Sequence, residues 1–257
     1  MLDPDLTKGR RFVDAHAPPG RLLLCGVTGS HFYGFPSPDS DLDLKGIHLA
    51  PTAELLGLGA PQETFDRLLV FEGLECDYTS HEARKALSLL LRGNGNMLER
   101  ILSPIQLQAT EELRALQALA RATISKRFAS HYRGFFQGMC REHDRSEAPR
   151  AKTLLYAYRV ALTGVHLLRT GELVGDVNET APRYGFEAAL ELVARKRDGE
   201  ERVVLTAAED ATHRGAWPAL EAALASALEE STLPDAPDNA AEPDAFLVEL
   251  RRGAIEH

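Results

Sequence analysis

The feature that most constrains this chain is an apolar run that stops at a glycine–serine pair, followed by two aspartates on alternate positions. Leu22-Leu23-Leu24-Cys25-Gly26-Val27 reads as a buried strand. Thr28-Gly29-Ser30 ends it and can open a short helix. Prolines and turn formers make Phe35-Pro36-Ser37-Pro38-Asp39-Ser40 a loop. From Asp41 to Leu49 polar and apolar residues alternate, as in a half-buried strand. Side chains of a strand alternate faces. Asp41 and Asp43 therefore point the same way, about 7 Å apart, while Leu42 and Leu44 enter the core. Backbone N–H groups of a small turn can hold phosphate oxygens. Two carboxylates on one strand face can hold a divalent metal. Lys45 projects with them, placed either to reach phosphate or to pair with the acids.

Further strand material surrounds Gly73, at residues 68–71 and 74–78. Thr79-Ser80-His81-Glu82 has capping-box spacing. That makes Thr79 the N-cap of a helix running to about Leu91, with His81 a structural residue in its first turn. Gly93-Asn94-Gly95-Asn96 breaks this helix, which resumes over 97–102 before Pro104. Beyond Thr110 the periodicity is helical, and helices are expected near 110–141, 149–170, 185–198 and 216–230. Residues 231–244 are rich in Pro, Asp and Ala and read as an extended linker, with 246–250 as a last short helix. The fold class expected is α+β. A mixed-sheet domain with flanking helices covers 1–108, and a helical domain with an extended acidic tail covers 109–257.

An apolar fraction of 44% over 257 residues supports a real core and one large or two small domains. No stretch approaches the roughly 18 apolar residues of a membrane span, so no membrane partner is expected. The first residues lack an apolar h-region, so no secretion signal is expected either. Cys25, Cys76 and Cys140 are widely spaced and read as reduced thiols of a cytoplasmic protein. No CxxC or Cys/His zinc pattern occurs. The net charge of −9 argues against a uniformly basic nucleic-acid binder. The charge is segregated, however. Residues 121–170 hold ten Lys or Arg against three acids, and residues 199–257 hold thirteen acids against four bases. A basic middle suits a surface that faces polyphosphate or RNA.

An Asp-x-Asp pair alone also occurs in surface turns, calcium loops and enzymes that hold sugar nucleotides. An EF-hand is excluded because its Gly and Glu positions do not follow. The Gly-Ser turn upstream selects nucleotide chemistry. In-line attack on an α-phosphate uses two metal ions about 4 Å apart, usually held by three carboxylates. Asp41 and Asp43 supply two. The third is expected on a neighbouring strand. Asp77, at the end of a strand-like run, is favoured over Glu75, two residues earlier on the same face, because that strand end shares a rim with the Gly-Ser turn.

Gly29-Ser30, a ten-residue spacer and Asp41-Leu42-Asp43 resemble nucleotidyltransferases of the DNA polymerase beta superfamily. Gly29-Ser30-His31-Phe32-Tyr33-Gly34 with Ser40-Asp41-Leu42-Asp43-Leu44-Lys45-Gly46 is closer still to the RNA ligase-associated, RlaP-like branch. That pattern continues with an acid before a helix, here Asp77. It then has an Asn-Pro-Asn-like turn with Leu-Glu, here Gly93-Asn94-Gly95-Asn96-Met97-Leu98-Glu99, where Gly95 replaces the proline. A Lys and an Arg on one helix match Lys152 and Arg159. The match is strong to about residue 105 and looser beyond. The resemblance implies a nucleotidyltransferase that uses an NTP with Mg²⁺ or Mn²⁺. Asp41, Asp43 and Asp77 fall on metal and Gly29 and Ser30 on the triphosphate. Ser40, a nucleotide-site candidate, either orients Asp41 or forms the turn. Lys45, Asn94, Lys152 and Arg159 fall near the nucleotide.

Lys152, Tyr156 and Arg159 share a helix face by their i, i+4, i+7 spacing. With Arg133 they are candidates for triphosphate or RNA phosphate contacts, and an exposed basic helix is the alternative. Asn94 and Asn96 either touch base or ribose or form the turn. The expected reaction is transfer of a nucleoside monophosphate to a hydroxyl, an RNA or tRNA 3′ end. The rival readings are transfer to a protein or small-molecule hydroxyl, a non-catalytic nucleotide- or RNA-binding module, and a glycosyltransferase that uses a UDP-sugar.

Overall fold

A computed structural model describes residues 3–108, 110–146, 150–197 and 204–254. The first part of the chain runs α1 (Leu6–Ala15), β1 (Arg21–Val27), α2 (Gly29–Phe32), β2 (Leu42–Leu49), α3 (Thr52–Leu56), β3 (Thr64–Phe71), β4 (Leu74–Glu82), α4 (Ala83–Leu91), α5 (Gly95–Leu102) and α6 (Glu111–Ala122). It continues with α7 (Phe128–Arg145), α8 (Ala151–Thr170), α9 (Val177–Arg183), α10 (Ala189–Arg197), α11 (Ala207–Gly215), α12 (Trp217–Glu229) and α13 (Ala241–Gly253). The chain divides into two compact units. A sheet unit gathers 3–29, 41–123 and the stretch from 237 on, and a helical unit gathers 30–40 and 124–236. The expected α+β class, a mixed sheet with flanking helices and a helical region, is the one observed.

The sheet has the order β1-β2-β4-β3. β2 is antiparallel to β1 and parallel to β4, and β3 is antiparallel to β4. The unbroken apolar run of β1 is buried, as a strand covered on both faces requires. In β2 and β4 the period-two alternation decides which face meets the core. Leu42, Leu44, Cys76 and Tyr78 go inward with Phe12, Val27 and Leu107, while Asp43, Lys45 and Asp77 stay partly exposed. β3 and β4 form a hairpin whose turn residues Glu72 and Gly73 both have positive φ, 48° and 79°. That backbone twist matches the twist of the flanking strands.

The capping box expected at Thr79 is not used. β4 continues to Glu82, and Glu82 itself caps α4 by accepting from Arg84 N–H at 2.7 Å. Lys45, Gly46 and Ile47 lie beside Thr79, Ser80 and His81 on one side, and Asp66, Phe65 and Thr64 on the other. A ladder on both edges outweighs a local helix start. Asp77 therefore sits mid-strand, not at a strand end. His81 is a strand residue, and burial, with Arg100 and Lys85 nearby, pushes its pKa down to about 4.

The sign of that shift gives a pH prediction. An imidazole of the unfolded chain titrates near 6.5, so between pH 6.5 and 4 the unfolded state binds more protons than the folded one. Stability then falls as pH drops through this window. The urea midpoint should decline from pH 6.5 to 4, and His81→Gln should flatten part of that decline.

The helix expected over 110–141 is two helices, α6 and α7. Thr123 ends α6 by turning its hydroxyl back to the Ala120 carbonyl at 2.8 Å, a break made without Gly or Pro. The helix expected over 185–198 is α10, shorter at its start, and residue 198 lies outside the described residues. Most of the expected 231–244 linker is irregular, but α13 begins at Ala241 and outruns the short helix expected there. Acids in its first turn and Arg251 and Arg252 in its last suit the helix dipole. α13 is fastened within the sheet unit by Arg251, whose guanidinium donates to the buried Glu82 carboxylate at 2.8 Å. In the helical unit α8 is buried on nearly all sides, and α7, α9, α10 and α12 pack around it. Among the described residues no helix is long and apolar enough to cross a membrane.

Candidate active site

On the sheet unit the parallel register sets Asp43 directly beside Asp77, with adjacent strands about 4.8 Å apart. Lys45 lies on the same face. Its ammonium donates to Asp77 Oδ2 at 2.8 Å and stands 3.8 Å from Asp43 Oδ1. Of the two roles open to Lys45, this arrangement displays pairing with the acids. Asp41 is half-buried one residue before β2. Glu75 is exposed, and it precedes the first β2–β4 pair, Leu42 with Cys76. Among the described residues no group of three His, Cys, Asp or Glu side chains is gathered closely enough to hold a metal ion as it stands.

The turn after β1 closes on Asp43. Thr28 N–H donates to the Asp43 carbonyl at 2.9 Å. Gly29 has φ +62°, and a Cβ there would fall 1.7 Å from Asp43 Oδ2. Only a residue without a side chain lets the carboxylate lie against the turn. Ser30, at 4% exposure, keeps a buried hydroxyl with no hydrogen-bond partner among the described residues. Behind the sheet, Arg100 on α5 is buried and donates to the Gly46 carbonyl at 2.7 Å. Burial lowers its pKa to about 10, which still leaves it charged at neutral pH. Asn94 caps α5, its amide oxygen accepting from Met97 N–H at 3.1 Å.

In the helical unit, residues 30–40 are held at several points. Arg159, only 1% exposed, lays its guanidinium 3.7 Å from the Tyr33 ring centroid, and Tyr156 meets Tyr33 and Phe35 edge to face. Lys152 by contrast is exposed. The shared helix face thus runs from solvent at Lys152 to the interior at Arg159, and Arg159 is not part of an exposed basic surface. Gly34 has φ +82°, and a Cβ there would fall 1.9 Å from Asp176 Oδ1. Its carbonyl accepts from Asn178 Nδ2 and Arg197 Nη2, each at 2.7 Å. Ser40 Oγ accepts from Ser37 N–H at 2.9 Å, and the buried Lys196 ammonium lies 3.4 Å from Ser37 Oγ and 3.5 Å from Ser40 Oγ. Ser40 thus closes its own loop. Asp176, Asn178, Lys196 and Arg197 escaped the sequence reading. The only local trace is Asp176, spaced as an N-cap before Val177.

On the sheet unit this arrangement holds one cation, the Lys45 ammonium, between two carboxylates, with Asp43 lying against the Gly29 turn. Comparison with known proteins gives a family, one relative and one solved structure. The family described as RNA repair pathway DNA polymerase beta family matches residues 9–249. Uncharacterized protein MJ0002 of Methanocaldococcus jannaschii is 29% identical over 154 residues, 58% of this chain. The match spans 61% of that protein's length. The crystal structure of a nucleotidyltransferase-like protein from Exiguobacterium sibiricum 255-15 aligns with a TM-score of 0.36 at 13% identity, over 87% of this chain and 75% of that one.

Proposed function

This chain belongs to the RNA repair pathway DNA polymerase beta family, and we propose that it transfers a nucleoside monophosphate from an NTP to the 3′ hydroxyl of an RNA, releasing pyrophosphate. The observation that carries this reading is the Asp43–Lys45–Asp77 cluster beside Gly29. Two carboxylates on neighbouring strands already share one cation, the Lys45 ammonium. That donor set suits a hard divalent ion. Asp41, Asp43 and Asp77 would hold Mg²⁺ or Mn²⁺. When bound, the metal acidifies the attacking hydroxyl and neutralises charge on the leaving pyrophosphate.

The chain's own groups do the positioning. The backbone of Gly29 and Ser30 would hold phosphate oxygens, and the Ser30 hydroxyl, buried and unpartnered here, would turn outward to donate to one of them. Lys45 supplies positive charge on the same strand face as Asp43. The acceptor oxygen attacks the α-phosphorus in line, the bond to the pyrophosphate oxygen breaks, and the hydroxyl proton passes to a carboxylate, Asp77 in this reading. Asn94, Lys152 and Ser40 support the nucleotide or its loop. Arg159 acts as a positioning residue by holding Tyr33.

The test is incubation with α-labelled NTPs, Mg²⁺ and an RNA oligonucleotide. Label in RNA together with stoichiometric pyrophosphate is expected. Label on protein with RNA untouched would move the acceptor to a protein hydroxyl. No label with any NTP and any acceptor would reject transfer.

A further inference from the structure

The helical unit carries a cluster of cations that the transfer site does not use. The last turns of α7 and the start of α8 line a polar cavity of about 550 Å³. Arg141 and Arg145, one turn apart on α7, and Arg150, just before α8, stand on its wall with Ser146 and Thr153. Among the described residues one acid, Glu142, lines the cavity with these three arginines. All three are exposed, and none of their side chains has an ion pair or hydrogen bond among the described residues. α8 adds its positive end, since no side chain caps it and no acid lies in its first turn. Gly138 leaves the wall open, because a Cβ there would meet nothing within 4 Å.

Cations left unpaired in one concave place repel each other, and only an anion relieves that repulsion. A second cavity, of about 620 Å³, shares Arg141 and is walled by Phe136, Trp217 and Arg214. The Arg214 guanidinium lies 5.3 Å from the Trp217 ring centroid. A lone phosphate needs one such hollow. A nucleotide chain needs cations that track its backbone and aromatic faces for its bases, side by side.

We propose that this α7–α8 face binds single-stranded polynucleotide, with phosphates on Arg141, Arg145 and Arg150 and a base at Trp217. As the acceptor's docking surface it rests on the transfer reading. The binding itself does not.

The experiment titrates a labelled single-stranded RNA oligonucleotide with the full chain from 50 to 200 mM salt, without NTP or metal. Anisotropy gives Kd, and fluorescence of Trp217, the chain's single tryptophan, reports contact. The R141Q/R145Q/R150Q variant is expected to bind at least about tenfold more weakly at 100 mM salt. Its log K against log salt slope should be shallower by about 2 to 3. Thermal unfolding should stay unchanged, because these side chains are exposed and unpaired. R121Q, an exposed control on α6, should stay within about twofold of wild type.

Wild-type Kd and slope in the triple variant would overturn the proposal, as would an equal loss in R121Q. Full competition by inorganic triphosphate at equal phosphate concentration would also overturn it, by assigning the hollow to a small polyphosphate. RNA binding without label transfer would reject the transfer reading alone. Label transfer with no RNA binding at this face would reject this proposal alone.

Discussion

Asp43→Asn is expected to lower the single-turnover rate of nucleotide incorporation by about 10³-fold or more. Loss of one carboxylate removes several kcal/mol of charge stabilisation at the reacting phosphate, and about 1.4 kcal/mol is tenfold in rate. Asn keeps the shape of Asp, so the register with Asp77 and the Thr28 contact to the Asp43 carbonyl should persist. Asp77→Asn should cost about as much, since both acids flank the same Lys45 ammonium. Glu75→Gln should change the rate by less than about threefold, because Glu75 is exposed and precedes the paired stretch of β2 and β4. Rates measured at saturating NTP, with unchanged thermal unfolding, decide this. A large loss in Glu75→Gln with little change in Asp77→Asn would exchange the two roles.

Gly29→Ala is expected to match that loss by a different route. An added Cβ would fall 1.7 Å from Asp43 Oδ2, and φ +62° is strained for any residue with a side chain. Either the Asp43 carboxylate leaves the turn or the turn opens, and both dismantle the site. Gly73→Ala separates strain from collision. Gly73 also has positive φ, +79°, but a Cβ there would meet nothing within 4 Å. That variant should lose about 1–2 kcal/mol of stability and keep its transfer rate. Unfolding curves and incorporation rates for the two variants test the contrast. Equal rates in both would remove the Gly29–Asp43 contact from the account.

The elements that carry the first half of the candidate site are legible because local pattern specifies them. The run of β1, its stop at Gly29 and the alternation of β2 read directly from residues 22–49, and the structure has them in place. Asp77 does not end its strand, since β4 runs on to Glu82. Its place beside Asp43 follows from a register between strands about thirty residues apart, which no local pattern encodes. The Thr79 capping box misled for a related reason: a segment with ladders on both edges ignores its local helix signal. The grip on residues 30–40 by Asp176, Asn178, Lys196 and Arg197 arises from packing across about 140 residues or more of chain. Arg159 carried the right spacing but not its environment, because periodicity fixes a face and not what covers it.

Binding of Mn²⁺ followed by electron paramagnetic resonance, with and without a non-hydrolysable NTP analogue, puts the Asp41, Asp43 and Asp77 assignment to its most direct trial. Wild-type protein should take up two Mn²⁺ per chain when the analogue is present, and Asp43→Asn and Asp77→Asn should each abolish at least one. Wild-type protein that binds none, or variants that bind both with unchanged affinity, would contradict the account.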